Sequence, residues 1–343
     1  MENSLGISVD KESPPELEDG IIMLVDPDMI LLRPLTHDFR DQKVIWVEGN
    51  HTPESRKFVH HGNPIGQQDG YLNNKWLTLP LNFTKPPFSD GPKHYNSGPP
   101  YLATVRDMYK ITVRWTVWAP KVLEVYPQLF AEMFGFILAT VELKLPFTFI
   151  RSMVVSTTTS SDREGWPFID ALADDKICAP ISEIDSPLPI GLHYCRRYLL
   201  GKVGSVVELI LLSREYLIKL AEFSAKFVVF CSFYSKWFWS KYRIKKNIMS
   251  CEKSLLRVPE SDIHLKYDYF INPPKATSGL NDTTMEEERH PLRGDRIIRR
   301  ESFMLCHLIP ALNEALRHHK HLACNGTANL MENYTIHEDP SSW

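Results

Sequence analysis

The chain has 343 residues, 43% of them hydrophobic and 11% aromatic, with a formal net charge of −3; that is enough apolar material for one large α/β domain or two small ones, and too much for a disordered polymer. Lys and Arg are spread along the chain rather than clustered, which argues against nucleic acid as a partner, since phosphate neutralisation needs a concentrated basic surface. Six cysteines without a CxxC pair argue against zinc and suit buried thiols or one or two disulfides.

Residues 1–19 are acidic and polar and read as a disordered leader, with neither the apolar core of a signal peptide nor a membrane anchor. The next stretch, GIIMLVDPDMILLRPL (Gly20–Leu35), sets Asp26 and Asp28 inside an apolar run. Ile21–Val25 reads as a buried strand stopped by Pro27, which cannot donate to a ladder. A carboxylate in apolar surroundings needs compensation. The pair can be a turn whose acids cap a helix. It can also be a phosphatase-type nucleophile, which Met29-Ile30-Leu31-Leu32 disfavours because small or hydroxyl-bearing residues belong there. Or it can be an oxygen-rich site for Mg²⁺ or Mn²⁺ that leaves positions open for a substrate phosphate.

Residues 36–100 are rich in Pro and Gly and read as long loops, which in a compact domain are functional or disordered. Within HYNSGPPYL (His94–Leu102), Asn96, Ser97 and Gly98 form a small polar turn, either plain or one that lets the backbone approach a sugar closely. From Tyr101 to Leu145 apolar residues recur at helical spacing, with Pro120 and Pro127 as breakers and Pro146 as the stop. AEMFGF places Glu132 on an apolar helix, where burial would raise its pKa and demand a partner; a structural ion-paired glutamate fits equally. FTFIRSMVVS reads as a strand, and SDREGWPFIDAL as a turn entering a short helix that carries Asp170. PLPIGLHYCRRYLLGK reads as strand or loop. It holds His193, a metal ligand or a satisfied core histidine, and then Arg196, Arg197 and Lys202, cations suited to a diphosphate. RGDRIIRRESFMLCHLIPALNEALRHHK reads as an amphipathic helix interrupted by Pro310.

Short strands mixed with helices indicate an α/β domain with a mixed sheet. Asn-x-Ser/Thr sequons begin at Asn50, Asn82, Asn281, Asn325 and Asn333 and tilt the reading towards the secretory pathway. The N-terminus pulls the other way: either the protein is cytosolic or the sequence begins after its true start.

The order D-x-D, N-S-G, helical acid, then His followed by Gly-Lys resembles metal-dependent glycosyltransferases of GT-A fold. More closely, VDPDMILLRPL, HYNSGPPYLATVRDM, FAEMFGF, REGWPFIDAL, HYCRRY and WFWSKYRIKKNIMSCEKSLL are similar to the peptidyl serine α-galactosyltransferase and hydroxyproline O-arabinosyltransferase family, over about residues 20–325. The resemblance implies a GT-A-like α/β domain with a mixed sheet that transfers galactose or arabinose from a UDP-sugar to Ser or hydroxyproline of a cell-wall-type glycoprotein. It implies Mn²⁺ (or Mg²⁺) held by Asp26, Asp28 and His193, a diphosphate met by Arg196, Arg197 and Lys202, and a donor sugar met by Asn96, Ser97 and Gly98. Glu132 falls on the acceptor side, with Asp170 as its substitute. It also implies a Golgi or ER lumenal enzyme whose membrane contact is an N-terminal anchor.

Two departures from the family pattern stand out. Only the short polar leader precedes Ile21, so the domain is expected to be incomplete at its N-terminus, lacking the anchor and much of the uridine pocket. HYCRRYLLGK should also run directly into WFWSKYR, yet residues 203–236 intervene and are unlike their surroundings. The segment begins with Val, whose codons start GT, and ends in residues with T-rich codons before Ser-Lys, so it reads as a retained intron; a true amphipathic insertion is the alternative. The expected organisation is a leader (1–19), a transferase core (20–202), the insertion (203–236), the remainder of the same domain (237–325) and a tail (326–343). Cys195 and Cys251, beside the two halves of the interrupted segment, are the expected disulfide. The competing function class is a catalytically impaired relative that acts only as a binding or structural protein. A retaining transferase with a glycan acceptor is a further alternative.

Overall fold

The computed structural model describes residues 18–47, 52–68, 74–86, 91–160, 164–201, 236–244, 246–266, 268–269 and 294–336. Lys202, nearly all of the 203–236 segment, and the leader before Glu18 lie outside them. The chain divides into two compact units: Met1–Ser156 with Asp162–Phe168 and Ser186–His193, and Thr157–Ser161 with Ile169–Asp185 and Tyr194–Trp343. Each is mixed α/β, and both sheets of the first unit mix parallel and antiparallel pairs, as expected.

In the first unit, β1 (Ile21–Leu24), β2 (Met29–Leu31), β3 (Ile65–Gln68), β4 (Ser97–Thr104), β5 (Thr148–Ile150), β6 (Val154–Val155) and β7 (Gly191–His193) form two sheets, ordered β1-β4-β3-β5 and β2-β7-β6. β4 is buried at every position although it contains Pro99 and Pro100. The β3–β4 register explains this: Gly66 faces Tyr101 and Gln67 faces Gly98, so both prolines fall in a bulge where no ladder donor is required. The polar turn expected at Asn96-Ser97-Gly98 is therefore corrected: Ser97 and Gly98 open β4, and Asn96 stands just before it.

Helix α1 (Gly91–Tyr95) precedes β4, and α2 (Val105–Val125) follows it directly, with the Thr104 hydroxyl accepting from the Asp107 amide. Pro120 lies inside α2 rather than ending it. It is exposed, as is Thr116 one turn earlier, so the break in the hydrogen-bond ladder lies on the solvent side of the helix. α3 (Ala131–Glu142) packs on α2, and Gly135 permits that approach: a Cβ there would meet Ala119 Cα at 2.8 Å. Tyr101, Phe136 and Phe147 form the aromatic centre of the core beside these helices. The region expected as loops is pinned where it is described. Buried Asp107 accepts from the Gly62 amide at 2.8 Å and lies 2.8 Å from His61 Nδ1.

In the second unit, α4 (Trp166–Asp170) contributes Asp170, and β8 (Tyr198–Gly201), β9 (Lys236–Trp239), β10 (Leu255–Leu256), β11 (Asp268–Tyr269) and β12 (Glu332–Tyr334) form sheets ordered β11-β8-β9 and β10-β12. The two flanks of the interrupted segment are antiparallel partners, with Leu200 opposite Trp237 and Gly201 opposite Lys236. Helix α5 (Ile263–Lys266) is short; α6 (Gly294–Ala323) runs unbroken through Pro310, where an interruption was expected. Cys178 bonds Cys306 and Cys251 bonds Cys324, which corrects the expected Cys195–Cys251 pairing. No described helix is long and apolar enough to cross a membrane.

Candidate metal centre

β1 ends at Leu24, and the chain turns through Asp26-Pro27-Asp28, the Met29 amide donating to the Asp26 carbonyl at 3.1 Å. Both strands flanking this turn are the outer strands of their described sheets, and Ile22, Val25 and Leu31 are exposed. The buried strand expected here is thus corrected to a pair of edge strands. Ile21, Met23 and Met29 of the apolar run pack against the core and leave the acids at a partly open corner.

His193 reaches that corner through strand register. β7 runs antiparallel to β2, with Met29 opposite His193 and Leu31 opposite Gly191. A Cβ on Gly191 would stand 2.7 Å from the Ile30 carbonyl oxygen, so glycine permits the close approach that sets this register. His193 Nε2 lies 3.2 Å from Asp28 Oδ1 and 3.5 Å from Asp26 Oδ2. One ligand atom from each of the three residues falls within 4.8 Å of the other two. Side-chain exposures of 43% for Asp26, 16% for Asp28 and 21% for His193 leave the group accessible from one side.

Two carboxylate oxygens and one imidazole nitrogen fit a divalent cation that takes mixed oxygen and nitrogen donors. Three protein donors leave further coordination positions for solvent or a phosphate oxygen. A protonated imidazole held between the carboxylates satisfies the same distances, so binding measurements decide between an ion and an ion pair.

The corner has a neighbour that the sequence did not signal. Parallel β6 has Val155 opposite Leu192, so Ser156 and His193 leave the sheet at the same end. Buried Glu164 accepts there from the Ser156 hydroxyl at 2.7 Å and from its backbone amide. An acid between turn residues in DREGW gives no periodic cue to burial, and only the fold reveals it.

The remaining expected site residues lie as follows. Ser97 and Gly98 begin β4 at the end of the sheet where β1 delivers the acidic turn, since Leu24 faces Tyr101. Asn96 is buried, accepting from Trp76 Nε1 at 2.7 Å and donating to Asn74 Oδ1 at 3.3 Å. Glu132, expected to be buried, is exposed in the first turn of α3, where its main-chain carbonyl accepts from Trp115 Nε1 at 2.7 Å. The burial reading fails because Glu132 falls between Ala131 and Phe134, which turn into the core, and itself points to solvent. In the second unit, Asp170 Oδ1 and Oδ2 accept from Arg300 Nε at 2.9 Å and Nη2 at 2.6 Å, while Arg196 is half-buried and Arg197 exposed ahead of β8. Lys202 lies outside the described residues.

Compared with known proteins, the chain matches no family model, no curated protein and no solved structure.

Proposed function

We propose that the chain is a GT-A-like glycosyltransferase that moves galactose or arabinose from a UDP-sugar to a Ser or hydroxyproline hydroxyl of a glycoprotein in the Golgi or ER lumen. The observation that carries this reading is the meeting of Asp26, Asp28 and His193, residues distant in sequence, in one accessible donor set. The order of motifs along the chain, the mixed α/β fold and the two disulfides support it.

In this reading Mn²⁺ (or Mg²⁺) supplies a Lewis acid for charge developing on the departing diphosphate. Asp26 and Asp28 provide the anionic donors, and the β2–β7 ladder fixes the His193 imidazole beside them. Ser97 and Gly98 offer small side chains at the same end of the first sheet and are assigned to the donor sugar. Asn96 is assigned there too, its amide held by Trp76 and Asn74. Arg196, Arg197 and Lys202 are assigned to the diphosphate from their order after His193. Glu132 takes the acceptor side, as base if the reaction inverts and as electrostatic support if it retains, with Asp170 as its substitute.

The test is release of UDP from UDP-galactose and UDP-arabinose by the purified chain. Release that needs Mn²⁺, stops on chelation and returns with added metal is the expected result. Folded protein that neither hydrolyses a UDP-sugar nor binds UDP overturns the enzyme reading and leaves a non-catalytic relative.

A further inference from the structure

The sequons play no part in the proposed chemistry, yet the structure exposes the Asn of every one it describes. Asn50 and Asn281 lie outside the described residues; Asn82, Asn325 and Asn333 are all exposed. Around Asn82 the chain alternates. Leu81 and Phe83 pack against the core, Phe83 meeting Trp118 edge-on at 6.0 Å, while Asn82 and Thr84 face outward. Asn82 and Thr84 flank the bend at Phe83 and are both exposed, so the amide and the hydroxyl of that sequon are both accessible. Asn333 is exposed in β12, beside the Tyr334 carbonyl that accepts from the Arg257 amide.

Asn325 is built differently. It follows α6 at φ 46°, and the Thr327 hydroxyl donates back to the Cys324 carbonyl at 2.7 Å. Cys324 is itself bonded to Cys251. Disulfides form and persist in oxidising compartments, which is a second and independent sign of the compartment where sequons are read.

We infer that Asn82, Asn325 and Asn333 carry N-linked glycans. The amide nitrogen attacks the anomeric carbon of an oligosaccharide held on a lipid diphosphate. The carbon–nitrogen bond forms as the bond to the diphosphate oxygen breaks, the amide loses one proton, and the lipid diphosphate leaves. At Asn325 the folded turn already engages the sequon hydroxyl, so modification there precedes closure of Cys251–Cys324. The inference is independent of the transferase reading.

The test uses the full chain from its own cells, digested and treated with peptide-N-glycosidase in heavy-oxygen water, which converts a glycosylated Asn to an isotopically labelled Asp. Label at 82, 325 and 333 is expected, and an unlabelled Asn at any of them overturns the inference for that position. In Cys251→Ser, occupancy at Asn325 rises relative to Asn82 in the same molecules; an unchanged ratio overturns the proposed order of events. Because the glycan is added before folding is complete, a poorly folded variant still reports.

Discussion

One acidic group in each unit is held in the opposite way to the other. In the first, Asp26 and Asp28 converge on His193 at a corner where all three side chains are partly open to solvent. In the second, Asp170 gives both carboxylate oxygens to Arg300, whose side chain is 1% exposed and whose Nη1 also donates to the Thr158 and Ser160 carbonyls. The contrast lies in what holds each group. A desolvated guanidinium is locked by the penalty for leaving it unpaired, whereas the corner is positioned by strand register and stays open on one side. Substitutions in the second unit should therefore register in stability, and substitutions at the corner in ligand affinity.

The largest expected effect is on Arg300. In Arg300→Met, Asp170 keeps, among the described residues, only Arg296 Nε at 3.8 Å, and two carbonyls lose their donor. Breaking one side of a buried pair costs about 3–5 kcal/mol, and the partial exposure of Asp170 sets the expectation at the lower end. Urea unfolding measures it, and a loss below about 1 kcal/mol, the value of an exposed pair, would erase the contrast.

Next comes a pH effect in the same unit. His307 is half-buried beside Phe303 and bonds the Ile177 carbonyl at 3.1 Å; desolvation pushes its pKa from 6.5 down to about 4, only partly countered by that bond. The unfolded chain then binds more protons than the folded one between these two values, so stability is full above about pH 6.5 and falls as the pH drops towards 4. A shift of this size corresponds to about 3 kcal/mol over the window. His307→Leu should flatten the stability profile there, and a profile as steep as the parent's would assign the pH dependence to other groups.

At the corner the comparison turns on affinity. Asp28→Asn should weaken Mn²⁺ binding, read by electron paramagnetic resonance, by at least the roughly 10–100-fold that losing an outer-shell partner costs, with Tm unchanged. Gly191→Ala removes no ligand, yet its Cβ would press on the Ile30 carbonyl and force β2 off β7. It too should lose affinity. Parental Mn²⁺ binding in both variants would leave the corner as an ion pair.

The parts of this that the sequence made legible follow physical cause. Asp26, Asp28 and His193 were readable because a carboxylate pair in an apolar run is locally anomalous and because their order with other motifs is distinctive. The mixed α/β class followed from short apolar runs between helical periods. The strand over Ser97–Thr104 was hidden, because two prolines signal a turn unless a bulge excuses them from the ladder, and a bulge depends on the partner strand. Glu132 was misjudged as buried because helical spacing gives the apolar face only to within a residue or two. The roles of Gly191 and Glu164 depend wholly on what lies across the sheet, and no local pattern encodes that.

The smallest expected effect concerns the interrupted segment. Its flanks pair so that Leu200 faces Trp237. If Lys202 were joined directly to Trp237, Gly201 and Lys202 alone would connect two residues already opposite one another. A two-residue hairpin loop with Gly in the first position suits the type II′ turn, which matches strand twist. Shortening a connection also favours closure by about 0.6 kcal/mol for each halving of its length. Removing Val203–Lys236 should therefore leave Tm no lower than in the parent, measured by circular dichroism. A folded variant with a clearly lower Tm would make the segment part of the second unit's architecture. Transcripts that uniformly encode it would argue that the insertion is genuine protein rather than a retained intron.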